Sequence, residues 1–151
     1  MKYIKLFEEF SQEPNINNIS DSDKKYITYL LEYVYYNNPD EEDKYSPTDA
    51  PEWIIKFSYQ FLKNHGITKI YRGFSPGSYQ DVDAYSWTYD KDVAKSFGDN
   101  IVEIPLPAKV VSVEYVLDWV KRNGYYPEST NADFKDYIDN PSEESEVIVV
   151  N

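Results

Sequence analysis

The chain has 151 residues, enough for one domain with a core of its own and too few for two ordinary ones. Its 27 acidic against 15 basic side chains leave a net charge of −12, a field that repels nucleic acid and anionic membrane and suits a basic protein partner better, although acidic surfaces also simply confer solubility. With no cysteine, disulfides and thiolate chemistry are excluded; carboxylates alone can bind Mg or Ca, but no ligand spacing points to a metal.

No apolar run approaches the length of a membrane span, and residues 1–10 (MKYIKLFEEF) lack the long apolar core and cleavage site of a secretory signal. A cytoplasmic location is therefore expected. Residues 3–10 have Ile4, Leu6, Phe7 and Phe10 spaced for a short amphipathic helix, and residues 11–18, with Pro14, read as a loop or linker. Ser20 or Ser22 caps a helix to about Tyr36, whose apolar face is Tyr26, Ile27, Leu30, Leu31 and Val34. After a charged loop over 37–47, a helix starts at 49–52 with a buried stripe of Trp53, Ile54, Phe57, Phe61 and Leu62. It stops at Gly66, and the single histidine, His65, suits a helix-terminal role better than a ligand role.

From there the pattern changes to strands. Residues 67–74 (ITKIYRGF) form a short strand that Gly73 ends, 75–78 a turn, and 83–88 a second strand. Thr88 or Asp90 caps a short helix over 91–97, closed by Gly98. A strand at 101–106 contains Pro105, which marks an edge or an end, and residues 110–113 add another. A helix with Tyr115, Val116, Trp119 and Val120 ends at Gly124. One or two helical turns follow around Phe134 and Tyr137, and residues 146–150 are a final strand. The layout is an α+β fold: one domain over 1–151, helical over 1–66 and strand-rich over 67–151.

Three stretches carry candidate chemistry. Arg72 stands at a strand end beside Gly73, which lets another group approach the backbone; a fixed guanidinium there suits phosphate or carboxylate, or is a surface arginine near a turn. Ser86 and Thr88, two apart on a strand, share one face while Trp87 points away; the two hydroxyls orient a carboxylate or ligand, or form a solvated face. Glu144 and Glu146 open the last strand. Paired carboxylates suit chemistry at a sugar carbon, or are an acidic turn before a strand.

In their order, IYRGF (70–74), YSWTYDKDVAKSF (85–97), VEIPLP (102–107) and EESEVIVV (143–150) resemble the ADP-ribosyltransferases of the arginine–serine–glutamate, toxin-like class, over more than half of the chain. The resemblance implies two small, twisted, mainly antiparallel sheets around an NAD cleft, with the N-terminal helices packed on one side. It implies NAD as co-substrate, no metal, and transfer of ADP-ribose to a side chain of a protein acceptor, arginine by preference. By position, Arg72 would hold the pyrophosphate, Gly73 would meet the nicotinamide amide, and Ser86 would orient the catalytic carboxylate. Thr88 stands where the family often has serine, Phe97 would pack on nicotinamide, Glu146 would be the catalytic glutamate, and Glu144 would set the acceptor. Trp87 departs from the small residue usual in the serine motif, and Gly98-Asp-Asn stands where some toxins carry a second arginine, with only Lys95 near.

Residues 1–10 are also similar to the leader of proteins from large tailed bacteriophages, some of them packaged in the virion and injected, with residues 6–8 fitting a head-protease site; an ordinary first helix reads equally well. On that resemblance the acceptor would be a host protein in the host cytoplasm. Three further readings stay open: NAD hydrolysis without an acceptor, a non-catalytic binding or internal phage protein on the same fold, and a glycoside-type hydrolase using Glu144 and Glu146. The last ranks below the others because hydrolase carboxylates flank the bond rather than share one strand.

Overall fold

In the computed structural model, which describes residues 12–36, 46–75, 85–128, 130–141 and 145–150, the helix expected after Ser20 runs as α1, Asp21–Tyr36. The Ser20 hydroxyl accepts from the Asp23 amide at 3.1 Å, so Ser20 rather than Ser22 is its cap. The second helix, α2 (Glu52–Asn64), begins after Pro51, whose fixed φ of −59° is already helical; Asp49 accepts from the Ser46 amide and does not cap it. It ends at His65, with Nδ1 2.7 Å from the Phe61 carbonyl oxygen, and Gly66 at φ 76° turns the chain into the first strand.

The remaining elements are β1 (Lys69–Phe74), β2 (Ser86–Thr88), α3 (Lys91–Phe97), β3 (Asn100–Pro105), β4 (Val110–Ser112), α4 (Val113–Asn123), α5 (Ala132–Asp139) and β5 (Glu146–Val149). β1 continues through Gly73 to Phe74, past the end expected for it. Asp90 caps α3 by accepting from the amides of Asp92 and Val93. Ser112 caps α4, which ends at Gly124 in the left-handed region, and Asn131 caps α5.

Among the described residues the strands form one open antiparallel sheet of order β3-β1-β2-β5-β4, not the two small sheets expected. The reason for the difference is local. β1 and β3 pair from Lys69↔Pro105 to Phe74↔Asn100, and all of β2 pairs with β5, but β1 and β2 share only Tyr71↔Thr88. Two ladders are therefore joined at a single pair. Pro105 lies on the outer strand β3, where its missing N–H costs no ladder bond.

The alternation of β5 separates two cores. Ile148 joins α1, α4 and α5 in the larger one, around Leu30, Trp119 and Phe134; Val147 joins Leu62, Ile70, Trp87 and Val110 in the smaller. α2 gives Ile54 to the first and Leu62 to the second, so it packs against both cores, whereas Tyr26, Ile27, Leu30 and Leu31 of α1 join the larger one. Residues 12–20 form no helix or strand, yet they are no free linker. Glu13 binds Arg122 and Tyr115, the Trp119 indole donates to the Pro14 carbonyl, and the Ile16 amide donates to the Asn123 side chain. The helix expected over 3–10, most of the 37–47 loop, the turn at 76–78 and residues 83–84 of the second strand lie outside the described residues.

Candidate functional site

The sheet's weak point is also where it opens. In the antiparallel register set by Tyr71↔Thr88, the next residues of β1 and β2 are Arg72 and Gly73 against Trp87 and Ser86, and they do not pair. A cleft of about 390 Å³ lies there, lined among others by Arg72, Gly73, Ser86, Thr88, Phe97 and Glu146. Six of the seven residues singled out from the sequence thus border one space; the seventh, Glu144, lies outside the described residues.

Glu146 stands opposite Thr88 across the β2–β5 ladder, which puts Ser86 at the diagonal position on the same face. The Ser86 hydroxyl donates to Glu146 Oε2 at 2.8 Å, which fixes the carboxylate at the cleft. Arg72 reaches across the gap and donates from Nη1 to the Ser86 carbonyl oxygen, with its guanidinium 5.5 Å from the Phe74 ring. Its Nε is buried and finds no acceptor among the described residues. An unpaired buried donor of this kind costs about 1–3 kcal/mol, which an incoming anionic acceptor would recover.

Gly73 was expected to let another group approach its backbone. The group that does so is the Ala94 carbonyl oxygen, 1.8 Å from where a Cβ would stand; at Gly98 a Cβ would meet the Phe74 carbonyl at 2.0 Å. Both glycines therefore let the last turn of α3 lie directly on β1, and this packing carries Phe97 to the cleft. Phe97 is 67% exposed, and only it and Tyr36 are exposed large hydrophobic side chains among the described residues. A bare phenyl ring at a cleft rim is a ready stacking face for a planar ligand group.

Thr88 shares the cleft face with Ser86, but its hydroxyl is buried, 2.7 Å from Ser145 Oγ, and accepts from the Asp90 amide. It ties the start of β5 to the cap of α3. Trp87 borders the cleft, yet it is 3% exposed and packs in the smaller core, so it does not fill the opening.

Two contributors were not singled out from the sequence. Ser145 lines the cleft and anchors the residue before Glu146; its part depends on the partner across the ladder, which no local pattern reveals. Tyr33, on α1, packs against Tyr85 with ring centres 6.5 Å apart. Burial, then the nearby Glu146 carboxylate, pushes its phenol well above the ordinary tyrosine range. Among the described residues no three His, Cys, Asp or Glu side chains are grouped to hold a metal ion, and no helix is long and apolar enough to cross a membrane. No family model, curated protein or solved structure matches the chain.

Proposed function

We propose that the chain is a mono-ADP-ribosyltransferase on an ADP-ribosyltransferase-like fold, moving ADP-ribose from NAD to a side chain, arginine by preference, of a host protein in the host cytoplasm. The observation that carries this reading is the Ser86 hydroxyl donating to Glu146 at 2.8 Å in a cleft shared with Arg72 and the exposed ring of Phe97. The splitting of the sheet into two ladders at that cleft supports the fold assignment.

In this reading Arg72 takes the pyrophosphate and supplies its unpaired Nε–H, while Phe97 covers the nicotinamide ring. The bond from ribose C1′ to the nicotinamide nitrogen breaks, and its electron pair leaves with nicotinamide, which becomes neutral. Positive charge grows on C1′ and the ring oxygen, and the Glu146 carboxylate, held by Ser86, stabilises it. A guanidinium nitrogen of the acceptor then bonds to C1′ and gives up a proton, with Glu144 as the proposed partner that orients it. The acidic surface suits a basic acceptor protein.

The test is labelled NAD with purified protein and a bacterial lysate, beside Glu146→Gln. A labelled band that is absent with Glu146→Gln and released by arginine-linkage cleavage is the expected result. Nicotinamide release with no labelled band makes the protein an NAD glycohydrolase, with water in the acceptor's place. The absence of label, of nicotinamide release and of NAD binding together overturns the proposal and leaves a binding role unrelated to NAD.

A further inference from the structure

A pyrophosphate brings two negative charges into a protein of net charge −12, and Arg72 is the one cation lining the cleft among the described residues. A further cation, Lys91, stands on α3. Val93, Ala94 and Phe97 line the cleft from this helix, and Lys91 is three residues before Ala94, one turn along the same face. Its Nζ lies 6.0 Å from the centre of the Tyr71 ring, and Tyr71 is itself a cleft residue.

The neighbouring carboxylates are committed elsewhere. Asp90 accepts from the Asp92 and Val93 amides as the helix cap, and Asp92 pairs with Lys95 at 3.7 Å. Among the described residues Lys91 has no carboxylate partner, whereas Lys95, three residues before Gly98, pairs with Asp92. An uncompensated ammonium resting on an aromatic face is a charge that swings a short way at little cost, because its flexible stem does the moving.

We propose that Lys91 is the second cation of the cleft, held at its edge by Tyr71 and placed to take the phosphate charge that Arg72 alone leaves uncompensated. The assignment rests on the reading of the cleft as a dinucleotide site, and it names the group that stands in for a second arginine after Phe97. The adenosine side of the ligand would then lie toward Tyr71 and Lys91, and the nicotinamide side toward Phe97, along the length of α3.

The test is calorimetric titration of ADP-ribose into the full chain at two salt concentrations, for the native protein, Lys91→Met, Lys91→Arg and Lys95→Met, with folding checked by thermal melting. Lys91→Met keeps the stem and removes the charge. It is expected to weaken binding about tenfold and to flatten the salt dependence. Lys91→Arg is expected to stay within about twofold of native, and Lys95→Met likewise. Lys91→Met within twofold of native overturns the proposal, and so does an equal loss in Lys95→Met, which would reveal only the general field. Nicotinamide release from NAD separates the two layers. Binding that depends on Lys91 without turnover removes the transferase and keeps the second cation. Turnover with an unchanged KM for NAD in Lys91→Met removes the second cation and keeps the transferase. A native protein that neither binds ADP-ribose nor releases nicotinamide from NAD overturns both.

Discussion

Two arginines of this molecule do opposite things. Arg122, on α4, is saturated: Nε donates to Asp118 at 2.7 Å, and Nη1 and Nη2 donate to the two Glu13 oxygens at 2.5 and 3.1 Å. Burial pushes the Glu13 carboxyl up, but the bonds from Arg122 and Tyr115 outweigh it and hold the group below its ordinary value of 4.5. Those same bonds raise Arg122 above its own ordinary value. Arg72 has one carbonyl oxygen, an orphaned Nε and no carboxylate partner among the described residues. The first arginine ties a segment down; the second keeps a buried Nε–H without an acceptor. On the proposed reading, being satisfied rather than being charged is what separates the structural arginine from the binding one.

Mutations at the two places should therefore divide activity from stability. Arg72→Met is expected to cut nicotinamide release by about 10²–10³-fold, the scale of losing a preorganised electrostatic contact, while leaving urea stability within about 1 kcal/mol. A comparable loss of stability would make Arg72 structural and erase the contrast. Gly73→Ala tests the support beneath the cleft. Its methyl group would collide with the Ala94 carbonyl, and a fall of about 2–3 kcal/mol in unfolding free energy is expected, with loss of ligand binding.

Arg122→Met is expected to lower stability by about 1 kcal/mol, since both its pairs are partly exposed, and to leave NAD turnover unchanged. The smallest effect is in pH. Because Glu13 is held below its ordinary value of 4.5 in the folded protein, the contribution of the strap formed by residues 13–16 is full above that value and is lost as pH falls through the lowered one. The stability gap between native protein and Arg122→Met should then narrow in urea titrations as pH is taken below 4.5 and stay constant from pH 6 to 8. A constant gap throughout would detach Glu13 from the strap.

Much of this was legible because it is local. The Asp90 cap and the Gly98 stop fix α3 at Lys91–Phe97, and Gly124 ends α4; the Ser112 cap falls inside the stretch read as strand. The period of two on β2 puts Ser86 and Thr88 on one face, and the Ser86–Glu146 bond follows once β5 lies alongside. What stayed hidden depends on partners far along the chain. The strap over residues 13–16 is read as loop because Arg122, Trp119 and Asn123, more than 100 residues away, supply its bonds. Ser145 is one more polar residue in an acidic turn until Thr88 faces it. Gly73 signals a close approach without saying that a helix carbonyl makes it. The single sheet is equally non-local, since one pair decides between one sheet and two.

That one pair, with the smaller core beneath it, also bears on how the protein comes apart. Among the described residues Tyr71↔Thr88 is the only ladder pair between β3–β1, on which α3 rests, and β2–β5–β4, which α4 adjoins. Native-state amide exchange should resolve two cooperative blocks with different opening free energies, and the boundary should run through the cleft. A ligand that touches both blocks would slow exchange on each side together, so the same seam that makes room for a substrate would record its arrival as a gain in cooperativity.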